Sequence, residues 1–260
     1  MNNPLISIIT INFNNLEGLK KTMRSVAEQT YPEIEYIVID GNSTDGSAEY
    51  LETYSGALQY WVSEPDTGIF NAMNKGMAKA SGDFLLFLNS GDALTDGSIL
   101  EAFVSHKKFE GEIIYGDYTF EEGGKQYPDT VTPLFFLKSS LPHQSTLFHK
   151  SVFEKMGSYR EDYRIAADRH FYLSCLVSDQ FQFSHVPIAL TEFDLSGVSN
   201  DKDFHKKKEE EDIALFMEVL GVYYEDYRRL LHLEREVYHA KRNTVSGILK
   251  RILKRLTLGR

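Results

Sequence analysis

The chain has a single cysteine, Cys175, among 260 residues. No internal disulfide can form, and a Cys-rich zinc site is excluded. A lone thiol in an apolar helical run reads as a small buried hydrophobe. The N-terminus, MNNPLISIITINFNN, has no basic segment ahead of its apolar run, and that run is too short for a secretory signal or a membrane span. Internal repeats and low-complexity linkers are also missing. So are the two common phosphate-cradling fingerprints: NFNNLEG stands where GxGxxG would follow a first strand, and the P-loop pattern occurs nowhere. A cytoplasmic protein with no glycine-rich phosphate loop is the expectation.

What is present is a chain with 42% hydrophobic residues, long enough for one large α/β domain or a domain with an appendage. Its formal charge of -10 is unevenly spread: residues 241–260 hold seven of the 28 basic residues and none of the 38 acidic ones, leaving 21 bases against 38 acids elsewhere. Such a body repels nucleic acid, which is not an expected partner.

LISIITI (5–11) and IEYIVID (34–40) are short β-branched runs of the kind found in parallel strands buried on both faces. Between them Leu16, Leu19, Met23 and Val26 recur at helical spacing and stop before Pro32. GSAEYLETY (helix), LQYWVSE (strand), IFNAMNKGMAKA (helix) and DFLLFLNS (strand) continue a βαβαβαβ series. Right-handed crossovers place the polar strand ends along one sheet edge, where open α/β folds bind ligands. Beyond residue 95 the pattern is less regular: a helix near 96–109, a strand EIIYGDYTF, a hairpin at EEGGKQY, a helix AADRHFYLSCLVSD and a strand near 185–190. Residues 203–240 read as helical, with Leu215, Phe216, Val219 and Leu220 as a buried stripe and a break near Gly221.

Three stretches carry chemistry. In IDGNSTDGS, Asp40 ends a buried strand and faces the crevice, where it could accept hydrogen bonds from a base or ribose while Gly41 lets the backbone approach a flat ligand. The same stretch also reads as a polar turn with Asp45 or Ser47 capping the next helix. In FLLFLNSGDAL, Asn89, Ser90, Gly91 and Asp92 reach the same edge, and a carboxylate there could hold Mg2+ or Mn2+ against a diphosphate. A plain turn at a strand end is the alternative. In RIAADRHFYL, Asp168 lies near the start of an apolar helix, where the helix dipole keeps it ionised; it could equally be a helix cap.

The segments SIITINFN, VIDGNSTDGS and SEPDTGIFNAMNKGMAKASGDFLLFLNSGD, in that order over residues 4–95, resemble glycosyltransferase family 2, inverting nucleotide-sugar enzymes of the GT-A fold. The resemblance implies an α/β fold with a Rossmann-like, mostly parallel sheet flanked by helices, a smaller α+β acceptor-side half and C-terminal helices. It implies a nucleobase site lined by Ile11 and Phe13, with Asp40 bonding the base of a UDP-sugar. Asp92 would bind the divalent ion, Mn2+ or Mg2+, with Asn89 and Gly91 standing where acids are often found and Ser90 between them. Asp66, Gly68 and Asn74 fall in the segment beneath the donor sugar and diphosphate. Asp168 matches the general base that an inverting transfer needs on its acceptor side, with Glu161 and Asp162 as fallbacks.

His143 and Gln144 of LPHQSTLF become candidates for acceptor, diphosphate or metal contacts, and Asp117 and Tyr118 of YGDY for the acceptor cleft; ordinary packing would account for the same residues. The expected organisation is a transferase domain over 1–200, with a nucleotide-binding half (1–95) and an acceptor-side half (96–200), a helical extension (201–240) and a basic tail (241–260). In that tail Val245, Ile248, Leu249, Ile252, Leu253 and Leu256 form an amphipathic stripe. Residues 245–258 suit an anionic membrane surface, and hence a peripheral enzyme with a glycan or lipid-linked acceptor in bacterial surface polysaccharide assembly; docking on the body or another subunit is the alternative. The thinned acid motif at 89–92 also admits a nucleotide-sugar-binding scaffold subunit without turnover.

Overall fold

The four β-branched runs become neighbouring parallel strands in the computed structural model, which describes residues 3–195 and 202–242. β1 (Ile6–Asn12), β2 (Ile34–Asp40), β3 (Tyr60–Ser63) and β4 (Phe84–Asn89) lie in the order β3-β2-β1-β4. Asn12 stands opposite Asp40 and Ile11 opposite Asn89, so the polar strand ends share one edge. Successive residues alternate between faces. Ile9, Ile11, Ile37 and Ile39 meet Phe70 and Met73 of α3 (Ile69–Met77), while Ile6, Ile8 and Val38 meet α1 (Leu16–Ala27) and α2 (Ser47–Tyr54) through Leu19, Met23 and Leu51. α3 lies so close to β1 that a Cβ on Gly76 would come within 2.3 Å of Ile9 Cγ2.

The second half extends the same sheet. β5 (Ala93–Leu94) is followed by α4 (Ile99–Val104), β6 (Ile113–Phe120), β7 (Gly123–Lys125), α5 (Pro133–Lys138), β8 (Thr146–His149), α6 (Lys150–Met156), α7 (Ala167–Ser178) and β9 (Phe183–Glu192). The order continues β4-β8-β6-β9-β5, with β7 on β6. The helix predicted near 96–109 shortens to Ile99–Val104, because the chain turns at both ends: Ser98 bonds back to Asp96, and the amides of His106 and Phe109 close turns on Phe103 and His106.

This order forces the sheet to curl. β5 lies four strand steps from β4, about 19 Å in a flat sheet, yet only residues 90–92 join them, a span of about 14 Å at full extension. The sheet bends until β9 and β5 come round to the end of β4, and the NSGD segment crosses the interior of that bend.

The helical reading of 203–240 is matched by α8 (Lys202–Leu220) and α9 (Tyr224–Arg242), broken at Gly221, whose φ of 53° favours glycine. Leu215, Phe216 and Leu220 are buried against the body. The amphipathic segment 245–258 lies outside the described residues. No helix among the described residues is long and apolar enough to cross a membrane.

Candidate active site

At the ends of β1 to β3 the structure departs from two sequence expectations. Ile11 is 8% exposed, covered by the α3 face of the core, and does not line an open base site. Phe13, two residues on and past the last strand pairing, keeps the same facing but escapes cover and is 65% exposed. Asp40 is fully buried, and its carboxylate is occupied by the chain itself. Asn12 Nδ2 (2.7 Å) and Ser43 Oγ (2.6 Å) donate to Oδ1, and Ser43 N (2.9 Å) and Ser63 Oγ (2.6 Å) donate to Oδ2. Asp40 therefore ties together the ends of β1 and β3 and the loop that follows β2. The carboxylate that does face the opening belongs to Asp66. A Cβ on Gly41 would lie 2.6 Å from Asp66 Oδ2 and 3.1 Å from the Phe13 ring, so a half-buried acid and an exposed phenyl flank bare backbone.

Asp66 is held by the loop it starts, its Oδ1 accepting from Gly68 N at 2.9 Å; Gly68, with φ of 136°, opens α3 in a conformation that disfavours a side chain. Asn74 does not reach the opening. Its Nδ2 donates to Tyr159 O (2.8 Å) and Glu161 Oε1 (2.9 Å), and its Oδ1 accepts from Tyr159 N (3.0 Å), which staples α3 to the 159–161 loop. Asn71 holds the other oxygen of Glu161, and Arg160 pairs with Asp162, keeping that acid below the usual carboxylate range. Both fallback bases are thereby engaged in structural contacts.

The NSGD loop is braced from α1 by residues the motif reading missed. Asn15 Nδ2 donates to Ser90 O (3.0 Å), and Thr22 Oγ1 accepts from Gly91 N (3.0 Å) and donates to Asp92 O (2.6 Å). Gly91 has φ of 109°, and a Cβ there would meet Asp194 Oδ2 at 2.5 Å. The amide of Asp194, just beyond β9, donates to Asp92 Oδ1 at 2.9 Å. Asp92 is 2% exposed, and its Oδ2 has no hydrogen-bond partner. Burial raises its carboxyl to about 6, the Asp194 amide, the nearby His143 and the Gln144 side chain acting in the opposite direction. A buried carboxylate oxygen without a donor is costly unless a cation meets it.

The acceptor side comes within one imidazole of this loop. His143, which follows Pro142, approaches Asn89 Oδ1 with Nε2 (3.4 Å) and Asp168 Oδ2 with Nδ1 (3.6 Å). Asp168 sits in the first turn of α7, its Oδ1 accepting from Arg169 N at 2.7 Å. Gln144 is buried beside them. Thus Asn89, Asp92, His143 and Asp168 converge, although they come from the end of β4, the segment before β8 and the start of α7.

Asp117 and Tyr118 turn away from an open cleft. Asp117 lies at a β-bulge between β6 and β9, where the irregularity re-aims it inward. Its Oδ1 accepts from Tyr127 N (2.9 Å) and meets His185 Nε2 (2.9 Å), while His185 Nδ1 meets Asp129 (2.9 Å). Tyr118 joins an aromatic cluster 5.5 Å from Phe193 and 6.2 Å from Tyr127, and burial raises its phenol.

The sequence pattern of "Glycosyl transferase family 2" matches residues 7–163, more than half of the chain. The chain belongs to that family. An uncharacterized glycosyltransferase of Mycobacterium tuberculosis (strain H37Rv) is 37% identical over 209 residues, covering 77% of this chain and 79% of its own. A PGL/p-HBAD biosynthesis glycosyltransferase of the same organism is 29% identical over 221 residues, covering 78% and 84%. Among solved structures, the transferase resembles Staphylococcus aureus TarS in complex with UDP-GlcNAc (TM-score 0.65, 18% identity, 87% of this chain and 70% of that one). It also resembles a Pyrobaculum calidifontis mannosyltransferase in complex with GDP-Man and Mn2+ (TM-score 0.64, 13% identity, 99% and 81%). It spans 42% of a longer TarS chain. The fold of this transferase is accordingly that of GT-A enzymes: a mixed α/β body with a curled central sheet and C-terminal helices.

Proposed function

We propose that this glycosyltransferase moves a sugar from a UDP-sugar to a hydroxyl of a glycan or lipid-linked acceptor, with inversion. The observation that carries the proposal is the His143 bridge, which sets Asp168 within one ring of the NSGD loop. Phe13 offers its face to the base, and Asp66 accepts the ring N–H that uracil presents. This replaces the base contact first assigned to Asp40, whose oxygens already have donors. β1 alone separates the ends of β2 and β4, about 10 Å, a distance suited to a base at one end and a diphosphate at the other.

Asp168 takes the proton from the acceptor hydroxyl as its oxygen attacks the anomeric carbon from the side opposite the departing diphosphate. His143 orients Asp168 and ties its position to Asn89. Holding donor and acceptor in line is the larger contribution of such a site. The orphaned Oδ2 of Asp92 fits a divalent ion, Mn2+ or Mg2+, which hard-cation chemistry holds with one or two carboxylates and the substrate's phosphates. Consistent with that sharing, no three acid, His or Cys side chains among the described residues form a ready-made cage. When bound, the ion would neutralise charge on the leaving diphosphate.

A thermal-shift screen of UDP-glucose, UDP-N-acetylglucosamine and GDP-mannose, with and without Mn2+, tests the donor. A ligand at about 100 times its dissociation constant adds about 2.7 kcal/mol to stability. Metal-dependent stabilisation by a UDP-sugar is the expected result; stabilisation by GDP-mannose alone would overturn the uridine assignment. Asp168→Ala should keep that stabilisation and lose turnover by about a thousandfold. A variant still active at wild-type rate removes the base, and a wild type that binds without turnover is the scaffold of the alternative reading.

The acceptor's setting, surface polysaccharide assembly at the cytoplasmic face of a membrane, is supported by the basic amphipathic pattern of 245–258. Vesicle sedimentation should rise with anionic lipid and fall with salt. Equal partitioning of the full chain and a chain ending at 242 would remove the membrane contact.

A further inference from the structure

α7 begins without a cap of its own, since Ala166 precedes it and contributes no side-chain acceptor. An acid in the first turn, Asp168, is the expected substitute, and in that role it would be bound up by backbone amides. It is spared by a residue 43 positions away. Glu211 of α8, only 8% exposed, accepts from Arg164 N (2.9 Å) on Oε1 and from Ile165 N (2.8 Å) and Ala166 N (3.0 Å) on Oε2. Its neighbour Asp212 accepts from Arg169 Nη1 at 2.8 Å. Two consecutive acids of α8 thus grip the chain on both sides of Asp168. Leu215 and Phe216, buried one turn further on, fix α8 to the body.

We propose that Glu211 is a positioning residue for transfer, and that α8 belongs to the catalytic apparatus rather than being an appendage. This rests on reading Asp168 as the base. Three consecutive amides, that of Ala166 buried and those of Arg164 and Ile165 half-buried, need an acceptor. Remove Glu211 and two carboxylates stand within two residues of these amides: Asp162, before Arg164, is already paired with Arg160, which leaves Asp168, beyond Ala166. Taking those amides would turn it from His143 and from the incoming hydroxyl, and would stabilise its charge at the expense of its basicity. Glu211 satisfies the amides and leaves Asp168 Oδ2 facing His143. Residues 164–211 lie beyond the segment matched by the family pattern, so this arrangement is a property of the chain's own second half.

The test uses the full chain and two readouts. Amide hydrogen exchange follows residues 164–168; release of nucleoside diphosphate from UDP-glucose and UDP-N-acetylglucosamine with Mn2+ gives kcat and donor KM. Glu211→Ala should speed exchange at 164–168 by about tenfold while sheet amides stay protected. It should lower kcat about tenfold with donor KM within about twofold, and Glu211→Asp should recover part of the loss. Glu211→Gln, which keeps the side-chain shape and one acceptor, gives an intermediate result and serves if the alanine variant does not fold. Glu218→Ala removes the Arg160 pair on the same helix and is expected to lower stability with kcat unchanged. If Glu211→Ala behaves like Glu218→Ala, Glu211 is only structural and the inference fails. If Asp168→Ala retains turnover, the base assignment fails instead, and the exchange data still report whether Glu211 holds the loop.

Discussion

Asp40 and Asp92 follow the same design up to a point: Asp40 ends the apolar strand β2, Asp92 lies three residues past the end of the apolar strand β4, and each is buried. Asp40 has donors from two strand ends and one loop on its two oxygens, whereas Asp92 has one backbone amide on Oδ1 and no hydrogen bond on Oδ2. Equal burial therefore means opposite things. A carboxylate saturated by its own chain is a joint; one left half-met by a rigid frame keeps an oxygen that the chain does not satisfy.

The largest effect should come from breaking the joint. Asp40→Ala leaves buried donors on Asn12, Ser43 and Ser63 without an acceptor and should lower unfolding stability by about 4 kcal/mol, read from urea titration. Nucleotide affinity of the remaining folded fraction should stay near wild type. Loss of UDP affinity without loss of stability would return the base contact to Asp40.

Asp92→Asn should act in the other direction. The folded chain holds the Asp92 proton up to about pH 6, while the unfolded chain releases it near 3.8, the ordinary value of an aspartate. A raised folded value means stability present below 3.8 and lost as pH rises through 6, on the order of 3 kcal/mol for the metal-free protein. The asparagine variant escapes that loss. Its melting temperature at pH 8 without metal should exceed wild type, with Mn2+-dependent stabilisation abolished. Equal pH profiles for the two proteins would show that Asp92 is solvated.

The smallest change in stability belongs to Asp66→Ala, about 1 kcal/mol or less, since the acid only caps its own loop. UDP affinity, measured by calorimetry, should fall roughly tenfold or more as a charge-assisted hydrogen bond is lost. Unchanged affinity would leave Phe13 as the only recognised base contact.

The strands from β1 to β4 were legible because buried parallel strands must be β-branched and unbroken, a property of adjacent residues. The polar strand ends, with Asp92 just beyond one of them, followed from the same reasoning; Asp168 was singled out by its place near the start of an apolar helix and by the family resemblance. What was not legible is which donors each acid meets. Asp40 is satisfied partly by Asn12 and Ser63, Asp92 is seated by Asp194, and Asp168 is relieved by Glu211; none of these partners is near in sequence. Ile11 and Asn74 are placed away from the opening for a related reason. Strand alternation and one helix contact buried the first, and the 159–161 loop claimed the second. Motif spacing locates a side chain; the tertiary fold decides what it is free to touch.

The curl of the sheet also orders events during synthesis. β5 finds its partner only in β9, and Asp92 gains its single amide from a residue 102 positions later. A ribosome that has released the first half of this chain has made the parallel strands and the NSGD segment but not the seat beneath them. The seating of Asp92 thereby becomes a late property of the nascent protein, and a chain stopped short of residue 190 should emerge with the parallel strands in place and Asp92 without its amide.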